Sequence, residues 1–183
     1  MNEIALSQSC SKENKQEVIM LSVEELQSLF DENAIFISKS TQKEDVIKEI
    51  SDKLLKMGFV KEKFLENVLA REKDYPTGID LSVVDPELPN IAIPHTEAEF
   101  VNVRKVIPVH LDNEIEFNNM IDPDQKMKVK FLFMILNDDP EGQSNILAQI
   151  MNFVTTTPPN DLKTFFKSTD TGAIYNFLNK KFN

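Results

Sequence analysis

Two histidines, one cysteine and four glycines bound the chemistry open to this chain of 183 residues. His95 follows the apolar run Ile91-Ala92-Ile93-Pro94, which the proline ends, and it is followed at once by Thr96 and Glu97. A ring in that place projects from the rim of a sheet into a loop-lined surface, where α/β proteins put ligand sites. A neutral imidazole there carries a free lone pair near physiological pH, and attack on phosphorus is the chemistry that suits it. An arginine must then lie nearby to hold the phosphoryl oxygens. His110 lies inside Ile107-Pro108-Val109-His110-Leu111, where alternation turns a ring either to solvent or into the layer, and it is read as structural or exposed.

Other common chemistries lack their residues. Cys10 stands alone, which excludes disulfide frameworks, CxxC redox centres and cysteine-rich zinc sites and makes a reducing cytosol the expected compartment. Gly58, Gly78, Gly142 and Gly172 are far apart, whereas dinucleotide fingerprints and Walker loops need clustered glycines for the backbone to approach phosphates. There is neither a GxSxG elbow nor an HExxH zinc helix, and nothing singles out a glycosidase pair among the acidic residues. With 20 Lys+Arg against 30 Asp+Glu, the net charge of -10 disfavours unspecific attraction to nucleic acid or anionic lipid. The longest apolar stretch, Phe131 to Leu136, is too short to span a bilayer, and the amino end has neither a basic start nor a long apolar run. A soluble cytoplasmic protein is expected.

The elements that must position His95 follow from hydrophobic period and turn chemistry. Residues 1–28 read as a polar extension, with Ser22-Val-Glu-Glu25 as a capping box and Val23, Leu26 and Phe30 at helical spacing predicting a short amphipathic helix. After the β-like Ile35-Phe36-Ile37, a second capping box, Thr41 to Glu44, opens a helix with Val46, Ile47, Ile50, Leu54 and Met57 on one face and Gly58 as its stop. Another helix runs from Lys61 or Glu62 to about Lys73, with Phe64, Leu65, Val68 and Leu69 inward and Arg71 at its carboxyl end; Tyr75-Pro76-Thr77-Gly78 terminates it.

Residues 81–90 read as a loop. Val101 to Leu111 and Ile115 to Phe117 predict two strands joined by a turn at Asp112-Asn113. VKFLFMIL, from Val129 to Leu136, is nearly all apolar on both alternating faces, as in a central strand covered by helices on each side. Helices near Gln143 to Val154, Leu162 to Phe166 and Gly172 to Phe182 close the chain, with Pro158-Pro159 breaking the first from the second. The order predicts one domain of 29–183, an α/β (α+β) sandwich in which a mixed β-sheet is flanked by helices on both faces.

Two segments then carry a family resemblance: Arg71-Glu72-Lys-Asp-Tyr-Pro76-Thr77-Gly78-Ile79, and Asn90-Ile-Ala-Ile-Pro94-His95-Thr96-Glu97. Together they resemble the fructose/mannitol-type (type 2) enzyme IIA domain of the bacterial phosphoenolpyruvate-dependent sugar phosphotransferase system, most of all its galactitol-type branch, from about residue 29 to the end. The resemblance implies the fold of that family, with no metal or cofactor. It also implies that His95 takes a phosphoryl group from the phosphohistidine of HPr and passes it to a IIB partner, coupled to uptake of a sugar or sugar alcohol by a membrane IIC component.

Arg71 matches the family arginine beside the active histidine. Thr96 and Glu97 are candidates for supporting the phosphoryl site, Thr96 by donating its hydroxyl and Glu97 by orienting the ring, although both also read as solvated loop groups. Pro76, Thr77 and Gly78 are expected to shape the turn that brings Arg71 to His95. Many fructose and mannitol members place a second histidine at the start of the helix after the central strand; here the segment is Glu141-Gly-Gln-Ser-Asn145, where Ser144 or Asn145 is the expected substitute donor. A regulatory protein of the nitrogen-type IIA class, signalling through the phosphorylation state of His95, is the alternative. Apolar side chains around His95 are expected to dock successive partners.

Overall fold

The computed structural model describes residues 29–140 and 142–182. The amphipathic helix expected from Ser22 lies outside them. VKFLFMIL does form the middle of a sheet. Strand β5 (Lys126–Leu136) pairs antiparallel with β4 (Lys105–Asn118) on one side and parallel with β3 (Asn90–Ala92) on the other. β1 (Phe36–Ser38) runs parallel to β4 at one edge and β2 (Gly78–Ile79) antiparallel to β3 at the other, giving the mixed order β1-β4-β5-β3-β2.

Alternation along β5 divides the interior into two cores. Leu132, Met134 and Leu136 pack with Ile47, Ile50 and Leu54 of α1 (Lys43–Lys56) and with Phe64 and Val68 of α2 (Phe64–Asp74). Phe131, Phe133 and Ile135 belong to the other core, with α3 (Gln143–Thr156), α4 (Pro159–Lys167) and α5 (Thr171–Phe182). There Phe131, Phe133, Phe153 and Phe165 form a ring cluster with centroids 4.9 to 6.4 Å apart. The strand alternates polar and apolar from Lys126 to Lys130, and from Phe131 to Leu136, where both faces are buried, every residue is apolar.

Three local expectations are corrected. Thr41 does not cap α1: the helix starts at Lys43 behind Gln42, which makes no side-chain cap bond, and Thr41 is exposed. Glu44 and Asp45 in the first turn still oppose the helix dipole. Helix α2 begins at Phe64, because the preceding Val60 is drawn into a bridge with Val101 and the Lys61 amide bonds the Phe100 carbonyl at 3.0 Å. The Asp112-Asn113 turn is not a hairpin. Val109 and Ile115 both pair with β5, opposite Leu132 and Val129, so β4 continues in one direction and only its exposed residues 112–114 bulge outward. Gly58, at φ 75°, does end α1 as expected.

Gly78 acts through space and not through backbone conformation. A Cβ there would stand 2.5 Å from the Asn118 carbonyl oxygen and 2.7 Å from Met127 Sδ, while the Gly78 carbonyl accepts from the Met120 amide at 2.8 Å. The strand edge has no room to retreat. Gly78→Ala is therefore expected to lower stability by about 1–3 kcal/mol in urea unfolding, and an unchanged midpoint would refute the close-approach account.

Candidate functional site

The site forms where β3 and β5 end. Beyond β3, Pro94 accepts the Ile135 amide at 3.0 Å and His95 bridges Ile135, which carries the histidine along the central strand to the rim of the sheet. Strand ends grouped at one edge leave their last side chains free to meet. The His95 ring is half-buried, and its Nδ1 lies 2.7 Å from the Ile93 carbonyl oxygen. A carbonyl only accepts, so Nδ1 carries the hydrogen and Nε2 keeps its lone pair. Burial lowers the ring's pKa and the nearby Arg71 charge lowers it further, against the opposing effects of the Ile93 bond and of Glu97. The ordinary histidine value is 6.5, so the ring is neutral at pH 7.

Arg71 reaches the site from the last turn of α2, whose carboxyl end is a favourable place for a cation. Its Nη1 donates to Glu97 Oε1 at 3.1 Å and its guanidinium lies over the Tyr75 ring, 5.5 Å from the centroid. Glu97 in turn accepts the Thr96 hydroxyl at Oε2, 2.7 Å away; that bond first and the arginine after it hold its carboxyl below the usual range. The loop carrying Glu97 is fastened to the α1–α2 corner, with the Asn102 amide on the Phe59 carbonyl at 2.9 Å. Arg71, Glu97, Thr96 and His95 are thus brought together, as a neutral imidazole with a free lone pair beside a cation that a carboxylate steadies. Tyr75 is an exposed aromatic side chain beside Arg71.

Other expected residues fall differently. Thr96 is buried and spends its hydroxyl on Glu97, so it orients the carboxylate. Ser144 and Asn145 are exposed on the first turn of α3, and Asn145 lines a cavity of about 610 Å³ with Arg104, Gln149 and Lys181. No hydrogen bond joins either of them to His95 or Arg71 among the described residues. His110 is buried within the layer, its ring 6.4 Å from that of Phe131, and burial lowers its pKa. Thr77 does more than turn the chain: its amide and hydroxyl both donate to the buried carboxylate of Glu72, at 3.1 and 2.7 Å. Sequence reasoning gave Glu72 no part. The signal was present, because Phe64, Val68 and Glu72 are spaced by four and continue the inward stripe of α2. Among the described residues no cluster of metal-ligating side chains occurs, and no helix is long and apolar enough to cross a membrane.

Comparison with known proteins gives concordant results. The family model described as phosphoenolpyruvate-dependent sugar phosphotransferase system, EIIA 2, matches residues 28–181. The galactitol-specific EIIA component of Escherichia coli K12 is 27% identical over 131 residues, covering 67% of this chain and 83% of that protein. The crystal structure of IIA mannitol from Escherichia coli superposes with a TM-score of 0.63 at 20% identity, covering 81% of this chain and 98% of that one. The complex of the mannitol IIA enzyme with phosphorylated mannitol IIB, also from Escherichia coli, contains a chain matching at TM-score 0.60 and 20% identity, over 82% of this chain and 96% of that one.

Proposed function

The chain belongs to the EIIA type 2 family of the phosphoenolpyruvate-dependent sugar phosphotransferase system, and from that membership we propose that it is a phosphocarrier in which His95 accepts a phosphoryl group from phospho-HPr and hands it to a IIB domain. The transport served is that of a galactitol-like sugar or sugar alcohol through a IIC component. The observation that carries this reading is the Nδ1 bond to the Ile93 carbonyl, which leaves Nε2 of a neutral ring as the attacking atom beside Arg71.

In the forward step the Nε2 lone pair forms a bond to phosphorus as the bond from phosphorus to the HPr ring nitrogen breaks, and that nitrogen keeps the electron pair. Charge left on the His95 ring is met by the Ile93 carbonyl at Nδ1–H and by Glu97 nearby. In the second step a IIB thiolate attacks phosphorus and the pair returns to Nε2. Such transfers pass through loose transition states with charge spread over the phosphoryl oxygens, so placement and fixed cationic donors matter more than proton transfer. Arg71 supplies the donors, and Glu97 holds it in place while spending one of them.

The test is intact mass after incubation with phosphoenolpyruvate, enzyme I and HPr, followed by addition of the IIB partner. One acid-labile phosphoryl group that drains onto IIB is expected. A label that stays on the chain would favour a regulatory protein, and no label would refute the carrier. The pH dependence of uptake has a definite sign. Protonation of Nε2 removes the nucleophile, so the rate falls as pH drops through the pKa of His95, and because that pKa is lowered the fall is expected below pH 6.5. A rapid-quench pH series checks it, and complete loss of uptake centred above pH 6.5 would contradict the burial argument.

A further inference from the structure

Glu72 is almost wholly buried, 2% exposed, in a helix whose neighbouring residue already serves the site. Both of its carboxylate oxygens accept from Thr77, Oε1 from the amide and Oε2 from the hydroxyl. With its hydrogen committed to Glu72, the Thr77 oxygen is free to accept, and the Ile93 amide points to it at 3.2 Å, shared with the Thr77 carbonyl at 3.3 Å. The carbonyl of the same Ile93 takes the Nδ1 hydrogen of His95. A chain of hydrogen bonds therefore leads from a buried acid through Thr77 and the backbone of Ile93 to the ring, in which the carboxylate takes the Thr77 hydrogen and the Ile93 carbonyl takes that of Nδ1.

We propose that Glu72 is a positioning residue for the transfer: through Thr77 it fixes the amide end of Ile93, and so places the Ile93 carbonyl that holds His95 with Nδ1 protonated and Nε2 free. The proposal rests on reading His95 as the accepting residue. The arrangement explains why a residue that costs desolvation energy occupies an inward position where Phe64 and Val68 precede it. Arg71 and Glu72 divide the work of one helix end, the arginine facing the transferred group and the glutamate fixing the backbone that aims the acceptor.

The pH behaviour adds a separate handle. Burial raises Glu72 to about 7, against the lowering effects of the two Thr77 bonds and of Lys43 at the start of α1, the one charged group acting on it among the described residues. A protonated Glu72 has one accepting oxygen fewer for the two Thr77 donors, so the tie to Ile93 tightens as pH rises through 7.

The experiment compares wild type, Glu72→Gln, Thr77→Val and Thr77→Ser by two readouts: long-range nitrogen–proton NMR of the His95 ring, which reports its tautomer, and rapid-quench phosphorylation by phospho-HPr from pH 6 to 8. Glutamine offers Thr77 one acceptor in place of two. Glu72→Gln and Thr77→Val are expected to mix the tautomers, to slow uptake ~10-fold and to lose the inflection near pH 7, while Thr77→Ser recovers most of what Thr77→Val loses. Wild-type tautomer and rate in both damaging variants would overturn the proposal. If Glu72→Gln fails to fold, the valine and serine pair decides. Should wild type take no phosphoryl group, the carrier reading fails, yet the tautomer measurement still upholds or overturns the positioning.

Discussion

His95→Ala is expected to take up no phosphoryl group from phospho-HPr, a loss of more than ~10⁴-fold in rate, while remaining folded. The size of the effect follows from the absence of a substitute. Thr96 is adjacent, but its hydroxyl is spent on Glu97 Oε2 at 2.7 Å, and a hydroxyl without a general base is a poor nucleophile. His110 is 4% exposed and sits opposite Phe131 on β5, four residues along that strand from Ile135, which His95 bridges. The neighbours that depress the His95 pKa, burial and Arg71, would remain in place, so the pocket keeps its charge and only the attacking atom is lost. Folding should survive because the ring makes one hydrogen bond, to Ile93, while the backbone before it is held by β3 and by the Pro94 carbonyl. Intact mass and the urea midpoint together check this. His110→Ala serves as the complement and is expected to keep full uptake. Any acid-labile label on His95→Ala would move the acceptor elsewhere.

Where sequence reading succeeded, one physical cause dominated the segment. Six apolar residues in a row at 131–136 have no soluble arrangement except burial on both faces, and β5 lies in the middle of the sheet. The stripe Val46, Ile47, Ile50 and Leu54 likewise admits one helix, and all four are fully buried. Where reading failed, two causes competed locally. Asp112-Asn113 has turn chemistry, but the strand pairing of Ile115 and Phe117 with Val129 and Met127 outweighs it, and the polar residues leave the ladder as a bulge. Thr41 has capping chemistry, yet the helix starts later and the residue stays exposed.

The site shows the same division. Its proline-ended strand and histidine are contiguous and legible, as is the arginine at a helix end. The acid that braces them is twenty-three positions before His95, and its effect passes through Thr77 and a backbone carbonyl that no side-chain pattern records. Periodicity could place Glu72 inside; only the fold could say what it holds.

Arg71→Ala is expected to slow phosphorylation of His95 by ~10²–10³-fold, and Arg71→Lys by ~10-fold, with HPr affinity changed far less. The reason for separating the two variants is geometric. A guanidinium presents a planar fork to two phosphoryl oxygens, and here Glu97 holds one arm at 3.1 Å while the Tyr75 ring lies beneath the plane. Lysine restores the charge but not the fork, so it recovers the electrostatic share alone. Removing the cation also moves the acid limb of uptake, and the sign can be stated. Arg71 lowers the His95 pKa and Glu97 raises it, so in Arg71→Ala the carboxylate acts unopposed and the pKa rises. Protonation then silences Nε2 at a higher pH than in wild type, and the deficit of the alanine variant grows as pH falls from 8 to 6. In Arg71→Lys the charge is kept and the limb stays close to its original position. Single-turnover rates at saturating phospho-HPr across that range measure both effects. An alanine variant within about twofold of wild type at pH 8 would reduce Arg71 to a helix-terminal cation; a slow variant with an unmoved acid limb would keep the clamp but reject the charge coupling between Arg71 and His95.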